Sequence, residues 1–328
     1  MKNVHFENKK FENICKMSQT TLKKYLETEL KGVYKDVTSG DGFLFAKGDL
    51  PILLLAHLDT VHKTLPKTIV YDLTNGSIYS TNGIGGDDRC GVYMILEIIK
   101  KYNCSVLFCE DEEIGGVGAK KFIKTDLANE LEFNYAIEFD RKGSHDAVFY
   151  DCDNEDFEEF ITEDFYKTAY GSFSDISVVA PFLKCAAVNL SCGYYNAHTE
   201  NEYVILSEMD ASIKAACKII EKTTEKDKFE YIEAEHNYMN YDWYKKYFGG
   251  YSSNSKSGSN YNWYGEYEDA YDEIYEFYYL IEFMNKKGYQ DWFETYATSE
   301  AEAVGKLLIL YPNMCYNDII DICMDKGI

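Results

Sequence analysis

Pro51-Ile-Leu-Leu-Leu-Ala56-His57-Leu58-Asp59-Thr60-Val61 sets five consecutive apolar residues behind a proline and follows them at once with an imidazole and a carboxylate. Five apolar residues are too few for a helix and enough for a strand buried on both faces. The same construction recurs outward along the chain. Ser105-Val-Leu-Phe-Cys109 runs into Glu110-Asp111-Glu112-Glu113-Ile-Gly-Gly116, and Tyr135-Ala-Ile-Glu-Phe139 runs into Asp140. A fourth strand, Cys185-Ala-Ala-Val-Asn-Leu190, precedes His198 in Asn196-Ala-His-Thr-Glu-Asn-Glu-Tyr-Val204. Between these strands lie helical stretches: Cys90–Tyr102, opened by Gly83-Ile-Gly-Gly-Asp87-Asp88, then Gly118–Lys124, and Ser207–Lys222 after the last strand. Strands spaced by helices predict an α/β fold, a three-layer sandwich of a mostly parallel mixed sheet flanked by helices. Open parallel sheets gather functional groups at the carboxyl ends of their strands, so these polar segments are expected to meet in one crevice.

Composition narrows the function classes. The 328 residues carry 33 Lys+Arg against 56 Asp+Glu, a formal net charge of −23. Such a surface repels phosphate backbones and anionic lipid, which excludes general nucleic-acid and membrane-surface binding. No apolar run approaches the roughly 20 residues that span a bilayer. The opening Met1-Lys-Asn-Val-His-Phe-Glu-Asn8 has no uninterrupted apolar stretch behind its charges, unlike a secretory signal. Ten cysteines without paired spacing, several inside apolar segments, read as reduced core thiols and imply a cytoplasmic address.

The chain is expected to divide into a catalytic domain at 1–225 and a C-terminal region at 226–328. The second is rich in tyrosine, low in complexity and flexible over 249–260, with helices predicted over Tyr264–Met284 and Ser299–Lys326. Its aromatic surface suits docking or oligomerisation.

Imidazoles with carboxylates form a ligand set suited to zinc, with cobalt or manganese as alternatives, rather than a thiolate site. Two histidines and three carboxylates exceed what one tetrahedral ion with an open position accepts. They suffice for two divalent ions that share a carboxylate.

The order H-x-D-T-V, G-x-G-G-D-D, D-E-E-x-G, a strand ending in Asp, and a late His resembles the co-catalytic di-zinc exopeptidases, over about residues 40–205. That group includes peptidase T, carboxypeptidase G and the zinc aminopeptidases. The resemblance implies that Asp87 bridges both ions, that His57 and Asp140 complete one ligand set, and that Glu113 and His198 complete the other. It makes Glu112 the general base and Asp59 the carboxylate behind His57, and it implies a cis peptide between Asp87 and Asp88. It further implies a hydrolase of peptide or amide bonds, an aminopeptidase or dipeptidase using a metal-bound hydroxide. An N-acyl amino acid deacylase is the alternative within enzymes, and a non-catalytic peptide-binding protein the alternative outside them.

One feature departs from the lidded branch of that group. Asp140 and His198 are only 58 positions apart, which leaves no room for an inserted lid between them. Around the site, Asp88 is expected to structure the helix opening, and His62 reads as a surface residue. Asp175 is a candidate for a substrate ammonium and also a candidate helix cap. Tyr195, beside Tyr194, is a candidate donor to the substrate, against a packing role.

Overall fold

The computed structural model describes residues 8–72, 74–171, 173–224 and 226–234, together with the backbone of strands 277–284, 290–297 and 319–325. The chain divides into two compact units, Met1–Tyr247 and Phe248–Ile328.

The first unit is built on an eight-stranded sheet ordered β1-β2-β6-β3-β7-β10-β8-β9. These strands are β1 (Val37–Gly40), β2 (Phe43–Ala46), β3 (Leu50–His57), β6 (Cys104–Cys109), β7 (Tyr135–Arg141), β8 (Asp146–Val148), β9 (Lys167–Ala169) and β10 (Ala187–Ser191). The central four, β6, β3, β7 and β10, are parallel. They are the four strands that the apolar runs predict. β1 and β2 close one edge as an antiparallel pair, and β8 runs antiparallel to β10 at the other. A smaller antiparallel sheet, ordered β11-β12-β5-β4, combines Tyr194–Tyr195, Tyr203–Ile205, Ser77–Tyr79 and Val70–Asp72.

Burial alternates along the central strands with period two. Ile52, Leu54 and Ala56 of β3 pack into one core with Val106, Phe108, Ile137 and Phe139. Leu53 and Leu55 point the other way, joining Leu107, Cys109 and Ala136. The first core is covered by α1 (Asn8–Cys15), α2 (Gln19–Lys31), α3 (Gly86–Ile98), α6 (Glu155–Thr162) and α8 (Leu206–Lys222). The second lies under α4 (Val117–Phe122), α5 (Asp126–Asn129) and α7 (Ile176–Leu183). Continuous apolar runs are what a sheet covered on both faces requires.

The predicted helix over Cys90–Tyr102 is α3, which begins earlier, at Gly86. Asp87 (ψ 105°) and Asp88 (φ −115°, ψ 45°) leave helical geometry inside its first turn, and the peptide bond between them is cis, as the resemblance implies. α3 crosses close against β7. A Cβ on Gly91 would lie 1.9 Å from the Phe139 carbonyl oxygen, so only glycine permits this approach. Residues 226–234 belong to the first unit, where Cys152 pairs with Glu233 and Cys185 with Glu230 as antiparallel bridges. Eight cysteines among the described residues are free, and no described helix is long and apolar enough to cross a membrane.

The second unit corrects the helices predicted there. β13 (Phe277–Met284), β14 (Gln290–Ala297) and β15 (Ile319–Asp325) form an antiparallel sheet ordered β14-β13-β15. Phe277-Tyr-Tyr-Leu-Ile-Glu-Phe-Met284 and Ile319-Ile-Asp-Ile-Cys-Met-Asp325 are rich in aromatic and β-branched residues, which favour a pleated backbone over a helix. The stretch at 249–260 and the predicted helical residues at 264–276 and 299–318 lie outside the described residues.

Gly91→Ala is expected to destabilise the protein by about 1–3 kcal/mol or more, because the clash is with backbone and no side chain can yield. Urea unfolding followed by circular dichroism measures it. A midpoint equal to wild type would contradict the close α3–β7 packing.

Candidate active site

The polar segments converge as the parallel topology requires. His57 ends β3, Glu112 and Glu113 follow β6, Asp140 lies near the end of β7, and Asp87 opens α3. His198 arrives from the loop between β11 and β12. Asp87 stands at the centre. Its Oδ1 is 3.0 Å from His57 Nε2 and its Oδ2 is 3.1 Å from His198 Nε2. His57 Nε2 is also 3.5 Å from Asp140 Oδ1, and His198 Nε2 is 3.0 Å from Glu113 Oε2. Two triads result, His57–Asp87–Asp140 and Asp87–Glu113–His198, each with its ligand atoms within 4.8 Å of one another. His57 is fully buried, whereas the His198 side chain is 55% exposed, so the pair opens to solvent on the His198 side.

Each ligand is braced from behind. Asp59 Oδ1 is 3.1 Å from His57 Nδ1 and accepts the Glu112 N–H at 3.0 Å, while its Oδ2 accepts the Glu113 N–H at 3.1 Å. One carboxylate thus orients the imidazole and pins the loop after β6. With Nδ1–H donating to Asp59, Nε2 is the ring nitrogen turned toward Asp87 and Asp140, and it can bind a cation once its proton leaves. Asp88 Oδ2 accepts the His57 N–H and its Oδ1 accepts the Gly91 N–H, which gives it the structural role expected of it. The loop is held from its other side by α2, whose Ser18 cap accepts the Thr21 N–H, worth about 1 kcal/mol. From that helix Gln19 donates to Asp111 Oδ1 at 2.9 Å and Lys23 pairs with Glu110.

Asp140 is set in a buried polar network. Its N–H donates to Asn189 Oδ1, and the Tyr194 phenol donates to its Oδ1 at 3.2 Å. Ser174 Oγ lies 3.0 Å from Asp140 Oδ2 and 2.5 Å from Glu138 Oε2. A single hydroxyl proton serves only one of these. The hydroxyl stands between the two carboxyls, and burial raises the Glu138 carboxyl well above its ordinary value.

The other candidates are placed differently. The Tyr195 phenol donates to Glu208 Oε2 at 2.5 Å and its ring stacks on Tyr203, so Tyr194 rather than Tyr195 reaches the ligands. Asp175 stands at the start of α7 without making a side-chain cap bond and is completely buried, 3.3 Å from where a Cβ of Gly116 would lie. Its oxygens find no partner beyond the neighbouring Cys109 thiol, and burial pushes it up to about 7. His62 is not on the surface. Its side chain is 8% exposed and its Nε2 is 2.7 Å from Glu202 Oε2.

Glu138 and Glu202 have no place in the motifs read from sequence. A signal for Glu138 existed: an acid two residues before Asp140, on the same face of an otherwise apolar strand.

No family model matches the sequence, and no curated protein is found as its relative. Solved structures do share its architecture. Aminopeptidase PepT from Bacillus cereus ATCC 10987 superposes with a TM-score of 0.53 at 15% identity, over 65% of this chain and 97% of that one. A tripeptidase from Staphylococcus aureus subsp. aureus Mu50 gives 0.52 at 13% identity, over 65% and 96%. An aminopeptidase from the archaeon Desulfurococcus kamchatkensis gives 0.52 at 14% identity, over 68% and 97%. The chain shares the fold of these peptidases.

The residues present fit divalent cations. Ligands about 2.1 Å from a tetrahedral ion lie about 3.4 Å from one another, against 3.0–3.5 Å within these triads. Glu113 Oε1 is buried with no hydrogen-bond partner. Electrostatics agree. Burial opposes a charge on His57, but Asp140 and the hydrogen bonds from Asp140, Asp59 and Asp87 outweigh it and hold its pKa well above 6.5. Burial, reinforced by Asp140, Asp175 and Glu113, pushes the Glu112 carboxyl up to about 8. The crevice carries more negative charge than it can pair.

His198 yields a pH dependence. Hydrogen bonds to Asp87 and Glu113 raise it from 6.5 to about 10 in the cation-free protein. Its protonated form therefore contributes stability that is fully present below 6.5 and lost as pH rises through about 10. A cation takes that nitrogen only when the proton leaves. Cation uptake is expected to release protons and to tighten between about pH 6 and about pH 9, read from calorimetric heats in buffers of different ionisation enthalpy. Uptake without proton release would contradict a ligand role for His198.

Proposed function

We propose that the chain is a cytoplasmic metal-dependent exopeptidase, an aminopeptidase or dipeptidase, acting on short peptides. One observation carries this: the two oxygens of Asp87 face two imidazoles, one at the end of β3 and one in the loop between β11 and β12, and Glu112 directly precedes the third ligand of the second triad, Glu113. His57, Asp87 and Asp140 would hold one divalent cation and Asp87, Glu113 and His198 a second. Zinc suits these ligands, with cobalt or manganese as alternatives. When bound, such a pair supplies Lewis-acid polarisation of the scissile carbonyl and makes water acidic near neutral pH.

The proton work belongs to Glu112. Its carboxylate takes the proton of the attacking water and returns it to the leaving amine, acting first as base and then as acid. A carboxyl raised toward neutrality is suited to both halves of that cycle. Asp59 serves the geometry: by accepting from the Glu112 N–H and facing His57 Nδ1 it sets base and ligand relative to each other. Tyr194 holds one oxygen of the Asp140 carboxylate through its phenol and Ser174 lies against the other, while Asn189 holds the backbone N–H and carbonyl of the same residue.

Glu112→Gln is expected to take up cations as wild type does and to lose hydrolysis by about 10²–10⁴-fold or more, measured as amine released from a panel of dipeptides and tripeptides alongside metal content. Turnover like wild type in that variant would remove Glu112 as the base. Chelation is expected to abolish cleavage, and added zinc, cobalt or manganese to restore it. Peptides with a free amino terminus are expected to be cut and their N-acetylated forms spared. Cleavage of acetylated amino acids alone would make the chain a deacylase instead.

A further inference from the structure

We propose that Glu202, backed by His62, is a positioning residue that builds one of the two cation positions by clasping the loop of Asp87 to the loop of His198. The proposal rests on the two-cation reading above.

Glu202 is fully buried, and both of its oxygens are used. Oε1 accepts the Asp87 N–H at 3.0 Å, and Oε2 accepts the Gly85 N–H at 2.7 Å and faces His62 Nε2 at 2.7 Å. The first N–H groups of a helix have no carbonyl partner four residues back. At this helix start Gly85 is left-handed (φ 68°) and Asp87 is extended, and the carboxylate of a distant loop meets both donors. Charge-assisted bonds to a carboxylate are about twice as strong as neutral ones and satisfy a charge that burial would otherwise penalise.

Glu202 lies four residues after His198 in the loop between β11 and β12. The same two loops are joined again by the Gly83 N–H donating to the Glu200 carbonyl at 3.1 Å. Two glycines of Gly83-Ile-Gly-Gly make room for this clasp. A Cβ on Gly83 would stand 2.1 Å from the His62 ring, and one on Gly86 would stand 2.9 Å from both Tyr194 Cβ and Val204 Cγ2.

The consequence is asymmetric. Glu202 holds the loops of Asp87 and His198, two of the three ligands in the triad with Glu113. In the other triad it touches only Asp87, since His57 is held by Asp59 and Asp88, and Asp140 by Ser174, Asn189 and Tyr194. Loss of the clasp therefore loosens one cation position far more than the other.

The test is calorimetric titration of Zn²⁺ into the metal-stripped full-length chain, with hydrogen exchange at the Gly85 and Asp87 amides. Wild type is expected to take up two ions. Glu202→Gln, whose amide nitrogen cannot accept, is expected to keep one uptake within about threefold and weaken the other by about 10–100-fold, with faster exchange at both amides. His62→Gln, which retains an N–H toward Glu202, is expected to match wild type, and His62→Ala to weaken the same single position by a smaller factor. Two wild-type affinities in Glu202→Gln would overturn the clasp and leave the two-cation reading intact. Equal weakening of both positions in step with a lower Tm would also overturn it, reducing Glu202 to general packing. No uptake by wild type would remove the two-cation reading and the clasp together. Should Glu202→Gln fail to fold, the contrast between His62→Gln and His62→Ala decides, and equal affinities in that pair overturn the proposal.

Discussion

Two imidazoles from opposite sides of the crevice meet on one carboxylate, Asp87, and the surrounding architecture is arranged to keep that carboxylate in place. It sits where the chain leaves the helical path at the start of α3, so its backbone N–H is free for Glu202 and its side chain is free for His57 and His198. Asp88 turns the other way and ties the same helix start to the end of β3. A residue that must face two partners at once tolerates little error, because ligand positions shifted by about 0.5 Å already spoil such a site. That tolerance fits the bracing of His57 by Asp59 and of Asp140 by Ser174, Asn189 and Tyr194.

The second constraint is charge. Asp59, Asp87, Glu112, Glu113, Glu138, Asp140 and Asp175 crowd one end of a buried sheet, and Arg89 is a buried positive charge beside them. Its guanidinium is buried against the Leu58 and Met17 carbonyls; burial lowers its pKa, and the nearby Asp59 and Asp88 offset part of that. In a region of low dielectric, carboxyls without partners recover their protons, which is the direction seen at Glu112, Glu138 and Asp175. Bound cations reverse that logic by becoming the largest local charges. The groups divide accordingly. The triad atoms lie at the spacing of metal ligands, while burial favours the uncharged form of Glu138 and Asp175.

The central sheet could be read from the chain because its strands are buried on both faces and therefore announce themselves as unbroken apolar runs. Ile52–Ala56, Ser105–Cys109, Tyr135–Phe139 and Cys185–Leu190 all lie in it. The small sheet of β4, β5, β11 and β12 was not visible, because strands of two or three residues, part exposed, carry no periodicity to detect. The strands of the second unit were misread for a related reason. Tyr, Phe, Ile and Leu interleaved with acids fit a helical face about as well as a strand over so short a window, and pairing with neighbouring strands decides between them.

The site followed the same division. His57, Asp87, Glu112, Glu113, Asp140 and His198 lie in segments beside legible elements, which implied a shared crevice at the strand carboxyl ends, and the resemblance to a known family named them as candidates. The sequence could not show that Asp87 lies between two imidazoles, that Tyr194 rather than Tyr195 turns its phenol inward, or that Glu202 and His62, 140 positions apart, form a pair. Those facts depend on side-chain direction and on which loops touch, and both are set only when the two sheets and the helices have packed. Local apolar patterning marked the central strands, and the motifs that carry the family resemblance named the candidate residues; tertiary packing alone determined which atoms face one another, because distances of about 3 Å between distant residues leave no trace in the order of the chain.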